Sequence, residues 1–134
     1  MSAPRQGGFM HTQIKIPDLT VGIITHVVTD AVDLCPGVEA VGLVGSFARG
    51  EQKQCSDVDL IVKPSNAGKF QDILEGFGMH VRHILDYQFN KRLDIIRYEL
   101  VLERASRPPS PTEPWFCQET FAKMLKEVKW LYER

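Results

Sequence analysis

Asp57 and Asp59 are separated by one apolar residue and open an apolar run, Val58-Asp59-Leu60-Ile61-Val62. Side chains alternate across a strand, so the two carboxylates share one face while Val58 and Leu60 share the other. Two such carboxylates repel, and neither is buried unpaired at low cost. A divalent cation removes that cost, and hard oxygen ligands suit magnesium. Upstream, the apolar run Gly42-Leu43-Val44 ends in Gly45-Ser46, and a polar loop connects it to the acids. A glycine there lets the backbone approach an anion without a side chain in the way. The Ser46 hydroxyl and amide are donors, and a helix starting after Ser46 would add a favourable field. An isolated Asp-x-Asp is usually a solvated strand end. Following a Gly-Ser turn between two apolar runs, it asks for metal and phosphate together.

This segment resembles the signature of the DNA polymerase beta nucleotidyltransferase superfamily, in which Gly-Ser is followed after a loop of about ten residues by Asp-x-Asp. It is most similar to the minimal nucleotidyltransferases of the MntA-like antitoxin type. The matching residues are Gly45, Ser46, Ala48, Arg49, Gly50, Ser56, Asp57, Asp59 and Leu60. The resemblance implies an α/β (α+β) fold, a small mixed sheet flanked by helices. It also implies a third carboxylate on a neighbouring strand. Asp94, in Leu93-Asp94-Ile95-Ile96, is the favoured position, since it is a charge within a run otherwise made for burial. Asp86 is its rival, and a salt bridge to Arg92 or Arg97 is the bland alternative for Asp94.

On this resemblance Asp57, Asp59 and Asp94 would hold two magnesium ions, about 3.5–4 Å apart in sites of this class. Asp94 would also accept the proton of an attacking hydroxyl. Gly45, Ser46 and Arg49 would bind the triphosphate of ATP. Lys53 lies in a loop rich in polar residues that reads equally as solvated. His80, Arg82 and His83 form a small basic cluster that would line the site or decorate an exposed strand, and His11 and His26 have no partner spacing. Relatives of this kind pair with a helical HEPN-type ribonuclease toxin and transfer AMP to one of its tyrosines. The implied function is therefore that of an antitoxin, with nucleoside triphosphate and a HEPN-type helical protein as partners. The alternatives are a small-molecule (antibiotic-type) nucleotidyltransferase and a non-catalytic partner-binding module.

The elements that must position these residues are read from periodicity. Residues 1–17 form a polar, glycine-rich lead-in, 18–106 the catalytic core, 107–114 a proline-rich connector, and 115–134 a C-terminal helix packing on the core or on a partner. Within the core, Leu19, Ile23, Val27 and Leu34 mark a helix over 19–34, and Val38 to Val44 reads as a strand. Asp57 to Lys63 is the second strand. Phe70, Ile73 and Leu74 give a helix stopping at Gly76. Apolar runs follow at 81–85 and 93–98, then a short helix over 99–105. Phe121, Met124, Leu125 and Val128 share one face of a helix predicted to run from Trp115 to Glu133.

Composition excludes several classes. A net charge of -1 over 134 residues argues against general nucleic-acid binding. Cys35, Cys55 and Cys117 are odd in number and lack metal-ligand spacing, which suits small apolar fillers in a reducing cytoplasm. No apolar run is long enough for a membrane span, and a cytoplasmic location is expected.

Overall fold

Thr20 starts the first helix by accepting the Ile23 N–H on its hydroxyl at 3.2 Å. In the computed structural model, which describes residues 16–65, 69–108, 112 and 118–134, this helix is α1, Val21–Val32. Its buried residues are Ile24, Val28, Ala31 and Val32. That face is rotated from the predicted stripe: Ile23 and Val27 are only partly buried, and Leu34 is 63% exposed. The β-branched residues on all sides of this segment make its faces hard to rank by hydropathy alone.

β1, Val38–Val44, and β2, Val58–Pro64, fall close to the two apolar runs read as strands. They pair antiparallel, with Val44 opposite Asp59. Between them Ser46–Arg49 forms a single-turn helix, α2, anchored by the buried Phe47 and Ala48. β3, Leu93–Arg97, lies parallel to β2, so that Asp59 is registered with Asp94.

The segment between β2 and β3 departs from expectation. The helix does not stop at Gly76. Phe70–Ile73 (α3) continues through a wider π turn at Leu74–Gly78 into α4, Met79–Phe89. Residues 81–85 are therefore helical, and His80, Arg82 and His83 lie on α4. Phe77, Val81 and Leu85 recur at helical spacing and are fully buried, and this burial outweighs the poor helix propensity of the two glycines. Gly78 also serves packing, since a Cβ there would stand 2.9 Å from Ile95 Cδ1. Asn90 closes the helix in the left-handed conformation.

After α5, Tyr98–Ser106, the chain reaches α6, Gln118–Glu127, which gives way to a strand, β4, at Lys129–Glu133. The predicted single helix from Trp115 to Glu133 is thus corrected. Aromatic Trp130 and Tyr132 suit a strand, and β4 pairs antiparallel with β1 at the edge of the sheet. The lead-in up to Lys15, most of the proline-rich connector, Trp115, Phe116 and Cys117 lie outside the described residues. Cys35 is buried as a filler, whereas Cys55 is exposed.

The result is a four-stranded mixed sheet in the order β3-β2-β1-β4. One face carries α1 and α4 over Val41, Leu43, Leu60 and Val62. The other carries α5 and α6, with Val44, Ile61 and Val101 at the centre and Phe121, Met124 and Leu125 against them. No helix among the described residues is long and apolar enough to cross a membrane.

Gly42 admits the C-terminal strand. A Cβ there would overlap Val128 Cγ2 and press on the Trp130 ring at 3.1 Å. Gly42→Ala is expected to lower unfolding stability in urea by about 1–3 kcal/mol. The unfolded-state gain of such a replacement is smaller, about 0.4–1 kcal/mol. Unchanged stability would show that β4 does not depend on this close approach.

Candidate active site

At one end of the sheet, Val44, Asp59 and Asp94 form a row across three strands. Asp59 shares a face with Ile61, which is packed under α5 and α6, so its carboxylate emerges at the rim of that layer. Gly45 follows Val44 with φ +79°, a conformation that glycine adopts without strain. A Cβ at Gly45 would run into the Asp59 carboxylate. The glycine turn and the acid are therefore fitted to each other. Burial of Phe47 and Ala48 in the α1/α4 core holds α2 beside them.

Electrostatics identify the cluster more sharply than position does. Asp59 is pushed up to about 6, chiefly by burial, then by the charges of Asp94 and Asp57 and a side-chain hydrogen bond with Asp94, against a smaller opposing effect of Arg49. Without a cation, the charges of Asp94 and Asp57 add to the cost of ionising the half-buried Asp59. Among the described residues, no group of three or more histidine, cysteine or acidic side chains is drawn together closely enough to hold a metal ion. An all-oxygen set in which neighbouring negative charge raises Asp59 has the chemistry to accept a divalent ion such as magnesium or manganese.

Arg49 donates Nε to Glu51 Oε1 at 3.0 Å and Nη1 to Glu127 Oε1 and Oε2 at 3.1 and 3.2 Å. These bonds, Glu51 first, hold the guanidinium firmly protonated. Glu127 also accepts the Gly45 N–H at 2.7 Å. Nothing in Leu125-Lys126-Glu127-Val128-Lys129 separates this residue from an ordinary solvated helix face, and sequence reasoning passed over it. Ser46 opens α2, and its carbonyl accepts the Glu51 N–H at 2.9 Å.

The remaining candidates separate. Ser56 accepts the Lys53 N–H at 2.8 Å and shapes the loop before the acids. Lys91 donates to the Gln54 carbonyl and ties the same loop to the start of β3. Arg82 donates to the Leu93 carbonyl at 3.2 Å and so fixes β3, while His83 packs against Tyr87. Asp86 lies on α4 and lines a small cavity, about 140 Å³, with Asp57, Asn90, Lys91 and Arg92. Asp94, unlike Asp86, is in strand register with Asp59.

The raised Asp59 carboxyl has a consequence for stability. Its value exceeds the ordinary 3.8, so between about pH 4 and 6 the folded state binds more protons than the unfolded chain. Stability therefore falls as pH rises through that window. Asp59→Asn, which removes the charge and keeps the shape, is expected to raise Tm at pH 8 in chelator by about 3–5 °C. Below pH 4 the gain should vanish, and manganese should stabilise only the wild type. An equal gain at both pH values would contradict a charge origin.

Comparison with known proteins places this geometry. The nucleotidyltransferase domain family matches residues 26–111. A Methanocaldococcus jannaschii protein, assigned though not demonstrated to be a protein adenylyltransferase, is 28% identical over 65 residues. That match covers 48% of this chain and 64% of the relative, so the chain spans a little under two thirds of its length. Among solved structures, a chain of a mutant MntA–HpeT toxin–antitoxin complex is similar with a TM-score of 0.48 at 12% identity, covering 83% of this chain and 73% of that one. A chain from the tri-AMPylated Shewanella oneidensis HEPN toxin in complex with MNT antitoxin gives 0.47 at 11% identity, covering 84% and 72%. Both scores fall below the level at which folds are equated. The family match takes in β1, the Gly45-Ser46 turn, Asp57, Asp59 and Asp94, and on it the chain belongs to the nucleotidyltransferase domain family.

Proposed function

We propose that this protein transfers a nucleoside monophosphate, AMP from ATP, to a hydroxyl of a partner protein, and that it serves as the antitoxin of a HEPN-type helical toxin. The observation that carries the chemistry is the strand register that sets Asp59 beside Asp94, next to the Gly45-Ser46 turn. The acceptor class is supported by the sequence resemblance to minimal nucleotidyltransferases and by the adenylyltransferase assignment of the archaeal relative.

In this reading Asp57, Asp59 and Asp94 hold divalent metal, magnesium in the cell. When bound, the metal neutralises the triphosphate and lowers the pKa of the acceptor hydroxyl. The Gly45 and Ser46 amides and the Arg49 guanidinium bind phosphate oxygens, Arg49 by the forked geometry suited to them. Asp94, the more exposed of the registered pair, accepts the proton as the hydroxyl oxygen bonds to the α-phosphorus. The bond from that phosphorus to the bridging oxygen breaks, and pyrophosphate leaves. Gly45 keeps the turn open toward Asp59, and Phe47 and Ala48 hold it still.

Label transfer from α-labelled ATP with magnesium tests this, using a co-expressed helical partner or a lysate as acceptor. Wild type should label a protein band, and Asp57→Ala/Asp59→Ala should reduce the label at least about 100-fold. Label on a small molecule alone would move the acceptor class. No transfer with any nucleotide or metal, together with partner binding by both forms, would leave a binding module instead of an enzyme.

A further inference from the structure

Glu127 ends α6, and one residue later the chain enters β4. The joint is seated on Gly42, where Val128 and Trp130 fill the space a side chain would take. From this joint the Glu127 carboxylate reaches back to the glycine turn. It accepts the Gly45 N–H at 2.7 Å and both carboxylate oxygens meet Arg49 Nη1. The side chain is only 13% exposed, so this is a packed contact and not a loose surface pair.

These donors are the ones proposed above to bind the nucleotide's phosphates, and the inference rests on that reading. A carboxylate oxygen and a phosphate oxygen satisfy a backbone N–H and a guanidinium in the same way. They also repel, and the cradle already faces the Asp57, Asp59 and Asp94 carboxylates. Glu127 and a phosphate group therefore exclude each other.

Contacts other than Glu127 also place these donors. Arg49 keeps a second anchor in Glu51 at 3.0 Å. The Gly45 backbone is set by its own φ and by its fit to Asp59. A group that holds these donors without being needed to place them acts on whatever else would bind there. We infer that Glu127 is a built-in competitor for the nucleotide's phosphate tail, and that it sets triphosphate affinity by having to vacate the Gly45 N–H and Arg49 before the tail can seat. Its position after α6 and before β4 makes release a property of the C-terminal segment.

The test is calorimetric titration of a non-hydrolysable ATP analogue with manganese into wild type, Glu127→Gln and Glu127→Ala. AMP is titrated in parallel. The Gln variant keeps the shape and removes the charge, so a folding defect confined to Ala does not decide the outcome. About tenfold tighter analogue binding by both variants is expected, with AMP affinity unchanged. Weaker or equal analogue binding by Gln, with wild type binding measurably, would overturn the inference and make Glu127 a positioning residue. An equal gain for AMP would overturn it too, since general charge relief would then suffice. Absence of nucleotide binding by every form would remove the proposed function and this inference with it.

Discussion

The Asp59 carboxylate occupies the space in which a side chain at position 45 would stand, and much of the site depends on that contact. It requires glycine at the end of β1, with a positive φ that turns the chain sharply into α2. It brings a backbone donor and a carboxylate together at one rim of the sheet. Burial first, and then the repulsion gathered there, raise Asp59. On the proposed function, such a site awaits a cation at the expense of the metal-free protein's stability.

Both layers over the sheet serve this rim. Burial of Phe47 and Ala48 against α1 and α4 fixes α2, and Arg82 with Lys91 ties β3 and the loop before the acids in place. From the opposite layer α6 delivers Glu127 to the glycine turn, and β4 locks that delivery against Gly42. Two glycines of β1 and its following turn thus answer to different neighbours. Gly42 makes room for the C-terminal strand, and Gly45 makes room for an acid.

The strands at the centre of this arrangement were legible from residue types: two apolar runs marked β1 and β2, and the glycine-serine turn and paired acids marked the rim between them. The third carboxylate was not; the family resemblance asked for it, and the apolar run around Asp94 only favoured that position over Asp86. Three further features were not legible, each for a physical reason. The helix from Phe70 to Phe89 contains two glycines, and local propensity reads them as a stop; the burial of Phe77, Val81 and Leu85 carries the chain through in a π turn. β4 follows α6 without a strong breaker, and its pairing with β1 is a long-range choice that no local pattern records. Glu127 matters only through that pairing, so its sequence neighbours cannot distinguish it from a solvated glutamate.

On the proposed function, the carboxylates of β2 and β3 make one metal site across the parallel pair. Manganese titration in the presence of a non-hydrolysable nucleotide tests it most directly, comparing wild type with Asp94→Asn and Asp86→Asn. Asp94→Asn should weaken manganese at least about tenfold while Asp86→Asn stays near wild type. Loss of binding in Asp86→Asn with binding retained in Asp94→Asn would move the third carboxylate to α4 and contradict a site shared between β2 and β3.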